Sequence, residues 1–242
     1  MWWAGSEAVH VCLGDRRVGW RVGGQPAHWI DATSWADALR SMSQALPKAS
    51  RSSAIRPKVA WHWRLTGRLA PAVTLHPPSG LSAGEEWWTW ISAAAGQQAG
   101  MDGPCTVWTS RGAMGSTIIT AAVVSDEVVR AVHEVARHAG GRVGSIRPWW
   151  TGAALQFKAP AVVAVLDFES LVLWSAGPSP EVALSFVPAP DEAMLEGFTR
   201  RALAEVGAES AVVRWVQMGH DNAEAAGAFK SNDRLMLEAL HA

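Results

Sequence analysis

Two β-branched runs flanking a short acidic turn open the chain at residues 8–22, and the same arrangement returns at 161–175. The first reads Val9-His10-Val11-Cys12-Leu13, turns at Gly14-Asp15-Arg16 and comes back through Val18 and Trp20. The second reads Ala161-Val162-Val163-Ala164-Val165-Leu166, turns at Asp167-Phe168-Glu169 and comes back through Leu171, Leu173 and Trp174. A tight turn between two strand-like runs is a hairpin signal. Each hairpin is followed by a short strand candidate, 27–31 or 181–187, and then by a helix. In the first half Ser34 is the expected N-cap, with Trp35, Leu39, Met42 and Leu46 at helical spacing before Pro47. In the second, Pro190-Asp191 starts a helix through Met194, Leu195, Phe198, Leu203 and Val206. A strand over 210–217 and a last helix capped by Ser231 or Asn232 complete that half.

Between the hairpins the pattern predicts strands at 57–65 and 71–76 and a helix at 85–99. Trp87, Trp90, Ile91 and Ala94 make the core stripe of that helix, with Trp88 toward its edge. Strands at 104–110 and 116–124 follow. Ser125 then caps a helix through Val128, Val129, Val132, Val135 and Ala136, stopped by Gly140-Gly141, and a strand over 142–147 ends at Pro148. The order is βββα, an insertion of roughly β-α-β-β, then αβ, then βββαβα. The expected class is α/β, with two duplicated halves facing each other across a cleft. Residues 1–150 form the first half, with an inserted α+β module at about 66–124, and 151–242 form a reduced second half.

Composition narrows the function. At 242 residues, 49% hydrophobic and 18% charged, the chain has a substantial core. A net charge of -1, with the four lysines Lys48, Lys58, Lys158 and Lys230 scattered, gives no field for nucleic acid. Cys12 and Cys105 sit in apolar strand candidates without a CxxC or His partner and read as buried small hydrophobes. No stretch approaches the roughly 18 apolar residues of a membrane span, and Met1–Gly5 has no basic start, so a cytoplasmic location is expected. Fifteen Trp with no Tyr is unusual, because an indole N–H is costly to bury alone and Trp is enriched at binding hot spots.

The order of elements, with its strand-helix-strand-strand insertion, resembles the actin-like, ribonuclease-H-like proteins of bacterial envelope machinery. These are the PilM-type proteins of type IV pilus assembly and the cytoplasmic domain of the GspL-type protein of type II secretion; the cell-division protein FtsA has a related insertion. The likeness is strongest over Ser125–Pro148, which looks like that group's helix, Gly turn and strand into the second half. The resemblance implies a partner's tail held in a groove beside the inserted module. It also implies that nucleotide-binding members carry an Asp-x-Gly turn in each half, whose N–H groups meet the phosphates. This chain departs from that pattern. Gly14 and Asp15 mark the first turn, and Asp167 is followed by Glu169 where glycine would allow close approach. No GxxxxGK[ST] or GxGxxG motif compensates.

Other candidates reduce to ordinary roles. His133 and His138, five apart on one helix, do not share a face. Glu85-Glu86 and Asp191-Glu192 are helix starts. Asp167 with Glu169 as a ribonuclease-like metal pair lacks further carboxylates, and Ser116, Ser145 and Ser210 lack a nucleophile elbow. Trp87-Trp88-Thr89-Trp90 is the surface candidate, because one helix cannot bury all three indoles in one stripe. Trp2-Trp3 and Trp149-Trp150 should each leave one member exposed. The expected function is a scaffold or adaptor, a pseudo-ATPase without cofactor or metal, in the cytoplasmic part of a type IV pilus or type II secretion assembly. Its expected partner is a short cytoplasmic segment of an inner-membrane protein, with a homodimer as a further candidate. The competing reading is an ATP-binding, kinase-like enzyme of the same fold.

Overall fold

The computed structural model describes residues 8–23, 25–46, 59–81, 84–109, 117–154, 161–176, 181–186 and 213–217, with a few helical positions between 197 and 204. A first sheet combines β1 (Val9–Leu13), β2 (Arg17–Val22), β3 (His28–Asp31), β4 (Ala60–Leu65) and β8 (Arg142–Pro148) in the order β3-β2-β1-β4-β8. β1, β2 and β3 form an antiparallel meander, and β4 and β8 add in parallel. A second sheet has β9 (Ala161–Leu166), β10 (Ser170–Ala176), β11 (Glu181–Phe186) and β12 (Val213–Gln217) in the order β11-β10-β9-β12. Again the first three form a meander and the fourth pairs in parallel with the first. The third sheet, β5 (Ala72–Leu75), β6 (Cys105–Thr109) and β7 (Ile119–Ser125), has the order β5-β7-β6.

The alternation of the strands decides what lies on each face. Val9, Val11 and Leu13 on β1, with Trp61, Trp63 and Leu65 on β4, are fully buried beneath two helices. These are α1 (Trp35–Ala45), which buries Ala38, Leu39 and Met42, and α3 (Asp126–His138), which buries Val128, Val132, Val135 and Ala136. Ser34 and Ser125 cap them through bonds from the N–H groups of Asp37 and Glu127. α3 ends in a Schellman arrangement, with Gly141 N–H donating to Ala136 O and Gly140 N–H to Arg137 O, and Gly140 at φ +77°. The opposite face of the sheet carries His10, His62 and Arg64. His62 stacks on His10 and bonds Ser145 Oγ through Nδ1 at 2.9 Å.

α2 (Glu85–Gln98) covers the third sheet. Its buried line is Trp87, Ile91, Ala95 and Gly96, rather than the expected stripe through Trp90 and Ala94, which are half-buried. Small Ala95 and Gly96 let the helix sit close to the sheet, where a Cβ on Gly96 would lie 3.3 Å from Cys105 Sγ. Three further expectations are corrected. Strand β7 begins at Ile119 rather than at 116. Cys105 is half-buried, whereas Cys12 is buried. Trp149 and Trp150 are both buried, in a short helix α4 (Trp149–Ala154) that the sequence pattern did not predict. They fill the joint between sheets with Cys12, Ala72, Ala122, Val163, Val165 and Val172. Most of the expected helix at 190–206, the last helix and Trp2-Trp3 lie outside the described residues.

Trp61 sets a tight tolerance at the end of α3. A Cβ on Gly141 would fall 2.2 Å from Trp61 Nε1 and 2.8 Å from the Val59 carbonyl oxygen. Trp61 is fully buried and stacked on Trp63, so it has little room to yield. Gly141→Ala should therefore cost about 1–3 kcal/mol by overpacking, measured by urea denaturation. An unchanged midpoint would mean that the Trp61 packing is looser than described.

Candidate functional site

The turn between β1 and β2 meets the turn between β9 and β10. Both are closed in the same way. Gly14 N–H donates to Arg17 O at 2.8 Å, and Asp167 N–H donates to Ser170 O at 3.0 Å. Such a turn occupies its outer backbone groups and leaves the N–H groups of its central residues without a partner in the hairpin. In the first turn these belong to Asp15 and Arg16. Both donate to one side chain from the other half. Asp15 N–H reaches Glu169 Oε2 and Arg16 N–H reaches Glu169 Oε1, each at 2.9 Å. One carboxylate thus satisfies two adjacent amides across more than 150 residues of sequence.

Asp167 makes the second half of the clasp. Its Oδ2 accepts from Gly67 N–H at 2.7 Å, in the first half, and from Ser170 Oγ at 2.7 Å. Its Oδ1 accepts from the N–H groups of Glu169 at 2.9 Å and Ser170 at 2.8 Å. Aspartate suits this position because its short side chain bonds the backbone two and three residues on. Burial pushes its carboxyl above the ordinary value, and the bonds from Gly67, Glu169 and Ser170 pull it back in part. Four donors and no acceptor face it, so the site is built for the carboxylate.

Aromatic and cationic groups close the rest of the seam. Phe168, between the two acids, meets Trp29 of β3 edge-on at 5.2 Å. The Arg17 guanidinium lies 5.4 Å from the Phe168 ring and 5.9 Å from the Trp29 ring, and pairs with Asp31. Arg68 Nε holds Asp15 Oδ2 at 3.1 Å. Trp150 Nε1 donates to Ala70 O at 3.4 Å. Beneath the clasp, burial and then the Asp167 carboxylate push the Cys12 thiol well above its ordinary value, so it stays protonated and unreactive.

Gly14, Asp15, Asp167 and Glu169 are therefore brought together, but not as a nucleotide site. The N–H groups that would receive a phosphate already hold the Glu169 carboxylate. A Cβ on Gly14 would stand 3.4 Å from both Glu169 oxygens and 3.3 Å from Thr66 Cγ2, so little room is left over the turn. The residues present do not fit a nucleotide phosphate. Nor do Asp167 and Glu169 act as a metal pair on one strand face, because β9 ends at Leu166 and the two carboxylates turn to different partners. Sequence reading missed Gly67, Thr66, Arg68 and Trp29, whose roles depend on contacts with a distant turn.

The three tryptophans of α2 divide. Trp87 is 3% exposed in the core between α2 and the third sheet and offers no binding surface, because it fills the space over Val73, Ile119 and Ala121. Trp88 is 47% exposed, the exposed large apolar side chain among the described residues. Around the helix it lies only about 20° from Ala95, so its place in the first turn rather than its angle leaves it uncovered. Trp90 is half-buried and lines a shallow groove with Thr74, Leu75, His76, Ala94, Gln97 and Gln98. At about 160° from Trp88 around the helix, it belongs to a different surface.

Asp167→Asn replaces one acceptor oxygen by an NH2 facing donors. It should cost about 1–3 kcal/mol, the usual penalty for a buried donor left unsatisfied. Urea denaturation reads it, and a loss below about 0.5 kcal/mol would mean that the bonds to Gly67 and Ser170 hold little.

No protein-family model matches this sequence, and neither does any curated protein sequence. Solved structures do resemble it. The cytoplasmic domain of EpsL, an inner-membrane component of the type II secretion system of Vibrio cholerae, has a TM-score of 0.57 at 10% identity, over 97% of this chain and 93% of that one. A PilM-PilN type IV pilus biogenesis complex has a TM-score of 0.58 at 15% identity, over 97% and 86%. A Bacteroides thetaiotaomicron protein with an actin-like ATPase fold and unknown function has a TM-score of 0.53 at 6% identity, over 91% and 85%. At these identities the likeness fixes the fold. The chain has a mixed α/β, actin-like fold, and its structural neighbours include the pilus and secretion proteins that its element order resembles.

Proposed function

We propose that this chain is a non-catalytic actin-like scaffold in the cytoplasmic part of a type IV pilus or type II secretion assembly. In this reading it grips a short cytoplasmic segment of an inner-membrane partner through the first turn of α2, which carries Trp88. Two duplicated halves, 1–150 and 151–242, share one layout, and residues from about 66 to 124 are a module inserted into the first. The matching strand orders of the first and second sheets support the duplication. The separate core of β5, β6, β7 and α2 supports the insertion. No described helix is long and apolar enough to cross a membrane, and in this reading attachment to the membrane is the partner's role.

The observation that carries the reading is Trp88. A large indole left 47% exposed on a helix whose neighbour Trp87 is buried offers an anchor for an apolar side chain. One neighbour, EpsL, is an inner-membrane component of a type II secretion system, and another is a PilM-PilN complex of pilus biogenesis, which favours a membrane protein's segment as the occupant. The closed clasp of Glu169 on the first turn favours the scaffold over the ATP-binding enzyme.

Trp88→Ala should release the protein from the membrane fraction of its own cells, with partner affinity reduced roughly thirtyfold, the effect of losing about 2 kcal/mol at a hot spot. Its melting temperature should not change. Undiminished membrane recovery would remove Trp88 from the interface. Trp87→Ala should instead lose about 3–5 kcal/mol of stability by leaving a cavity. For the nucleotide, Mg-ATP at millimolar concentration should raise the melting temperature by less than about 1 °C, whereas saturating binding would add roughly 2.7 kcal/mol. A shift of several degrees would favour the enzyme.

A further inference from the structure

Two adjacent backbone N–H groups converging on a pair of oxygens form an oxyanion-binding geometry, whatever molecule carries the oxygens. At the first turn Asp15 and Arg16 supply the N–H groups, and Oε1 and Oε2 of Glu169 fill both positions at 2.9 Å. We propose that this turn is an oxyanion cradle whose resident ligand is the chain's own Glu169. The protein thus carries within its sequence the negative charge that the cradle would otherwise take from a free phosphate, phosphoryl or carboxylate group.

Four observations converge on this. The carboxylate comes from the other half of the chain, so it is not a local turn bond of the kind any aspartate makes. Glu169 is aimed by a fixed frame, because Asp167 Oδ1 holds its own N–H at 2.9 Å and Phe168 beside it is lodged against Trp29. Two guanidinium groups stand at the rim, Arg17 over Phe168 and paired with Asp31, and Arg68 paired with the Asp15 side chain at 3.1 Å. Finally, Gly14 presents no Cβ, and one placed there would meet the Glu169 oxygens at 3.4 Å. The turn therefore keeps the close approach that an anion needs, although the chain's own side chain uses it. This inference deepens the scaffold reading, since a cradle filled in cis is closed to outside anions.

Chemical rescue tests it, using the full chain. Glu169→Ala empties the cradle and should lower the melting temperature by several degrees, about 3–6 °C for a chain of this size. Inorganic phosphate or acetate at tens of millimolar should then restore at least half of that loss, relative to chloride of equal ionic strength. Wild type, already filled, should show no more than the general salt effect on the same series. Glu169→Gln keeps one acceptor oxygen, so it should lose less and be rescued less. A loss that no anion repairs would overturn the cradle and leave Glu169 as a structural side chain. Rescue by ADP alone, without phosphate or acetate, would also overturn it, because the site would then be recognising a nucleoside. Should Glu169→Ala fail to fold in chloride, its refolding yield is compared in phosphate and in chloride. A yield recovered in phosphate supports the cradle, and equal failure in both salts refutes it. None of these readouts involves a membrane partner, so their failure would leave the Trp88 interface standing.

Discussion

The contact on which the remaining arrangement turns is the clasp of the second hairpin's turn on the first turn and on the segment after β4. The first turn, by closing on itself, leaves N–H groups that its own hairpin cannot satisfy. Glu169 takes those of Asp15 and Arg16, and Asp167 takes that of Gly67 while holding its own turn together. Hydrogen bonds to an ionised carboxylate are worth roughly twice those between neutral groups. Phe168 and Trp29, with Arg17 beside them, pack in one cluster with Trp149, Trp150 and Cys12 along the seam. Two sheets that each bury their own faces are thereby fixed at one end. Their junction is a packed and hydrogen-bonded seam.

This closure bears on where function can lie. In the scaffold reading proposed above, a rigid frame and a binding surface are separated. The frame is the clasp and the cores of the sheets. The surface belongs to α2, whose small residues Ala95 and Gly96 seat the helix close to its sheet while Trp88 stays in solvent. Because Trp88 and Trp90 lie on different sides of the helix, a partner segment bound to one need not touch the other. The His10 and His62 stack on the outer face of the first sheet is a second polar feature, and burial followed by Arg64 and Arg147 holds the His62 pKa below its ordinary value.

Much of the fold was readable from the chain alone, for local reasons. The hairpins at 8–22 and 161–175, and helices α1 and α3 with their Ser34 and Ser125 caps, are specified within ten or twenty residues by pattern, cap and stop. The misreadings have a different origin. α4 follows Pro148 directly and has six residues, too few for a periodic signal. Trp149 and Trp150 are both buried because residues of three sheets enclose them, and no local pattern announces that. The stripe of α2 shifted because burial there follows close approach at Ala95 and Gly96 rather than apolar size. At the candidate site the sequence identified Glu169 as a charge in a glycine's place, which signals incompatibility with a phosphate. It gave no sign that Glu169 would find Asp15 and Arg16, because that contact exists only once the halves have met.

Amide hydrogen exchange at Asp15 and Arg16, followed residue by residue by NMR, tests the clasp most directly. These amides belong to an exposed tight turn, where N–H groups without a partner exchange at rates close to those of an unstructured peptide. Bonded to Glu169, they should exchange at least about a hundredfold more slowly than that, with protection approaching that of β1 itself. Protection of β1 and β2 alongside unprotected Asp15 and Arg16 would contradict the account, since the hairpin would then be formed while its tip remained free.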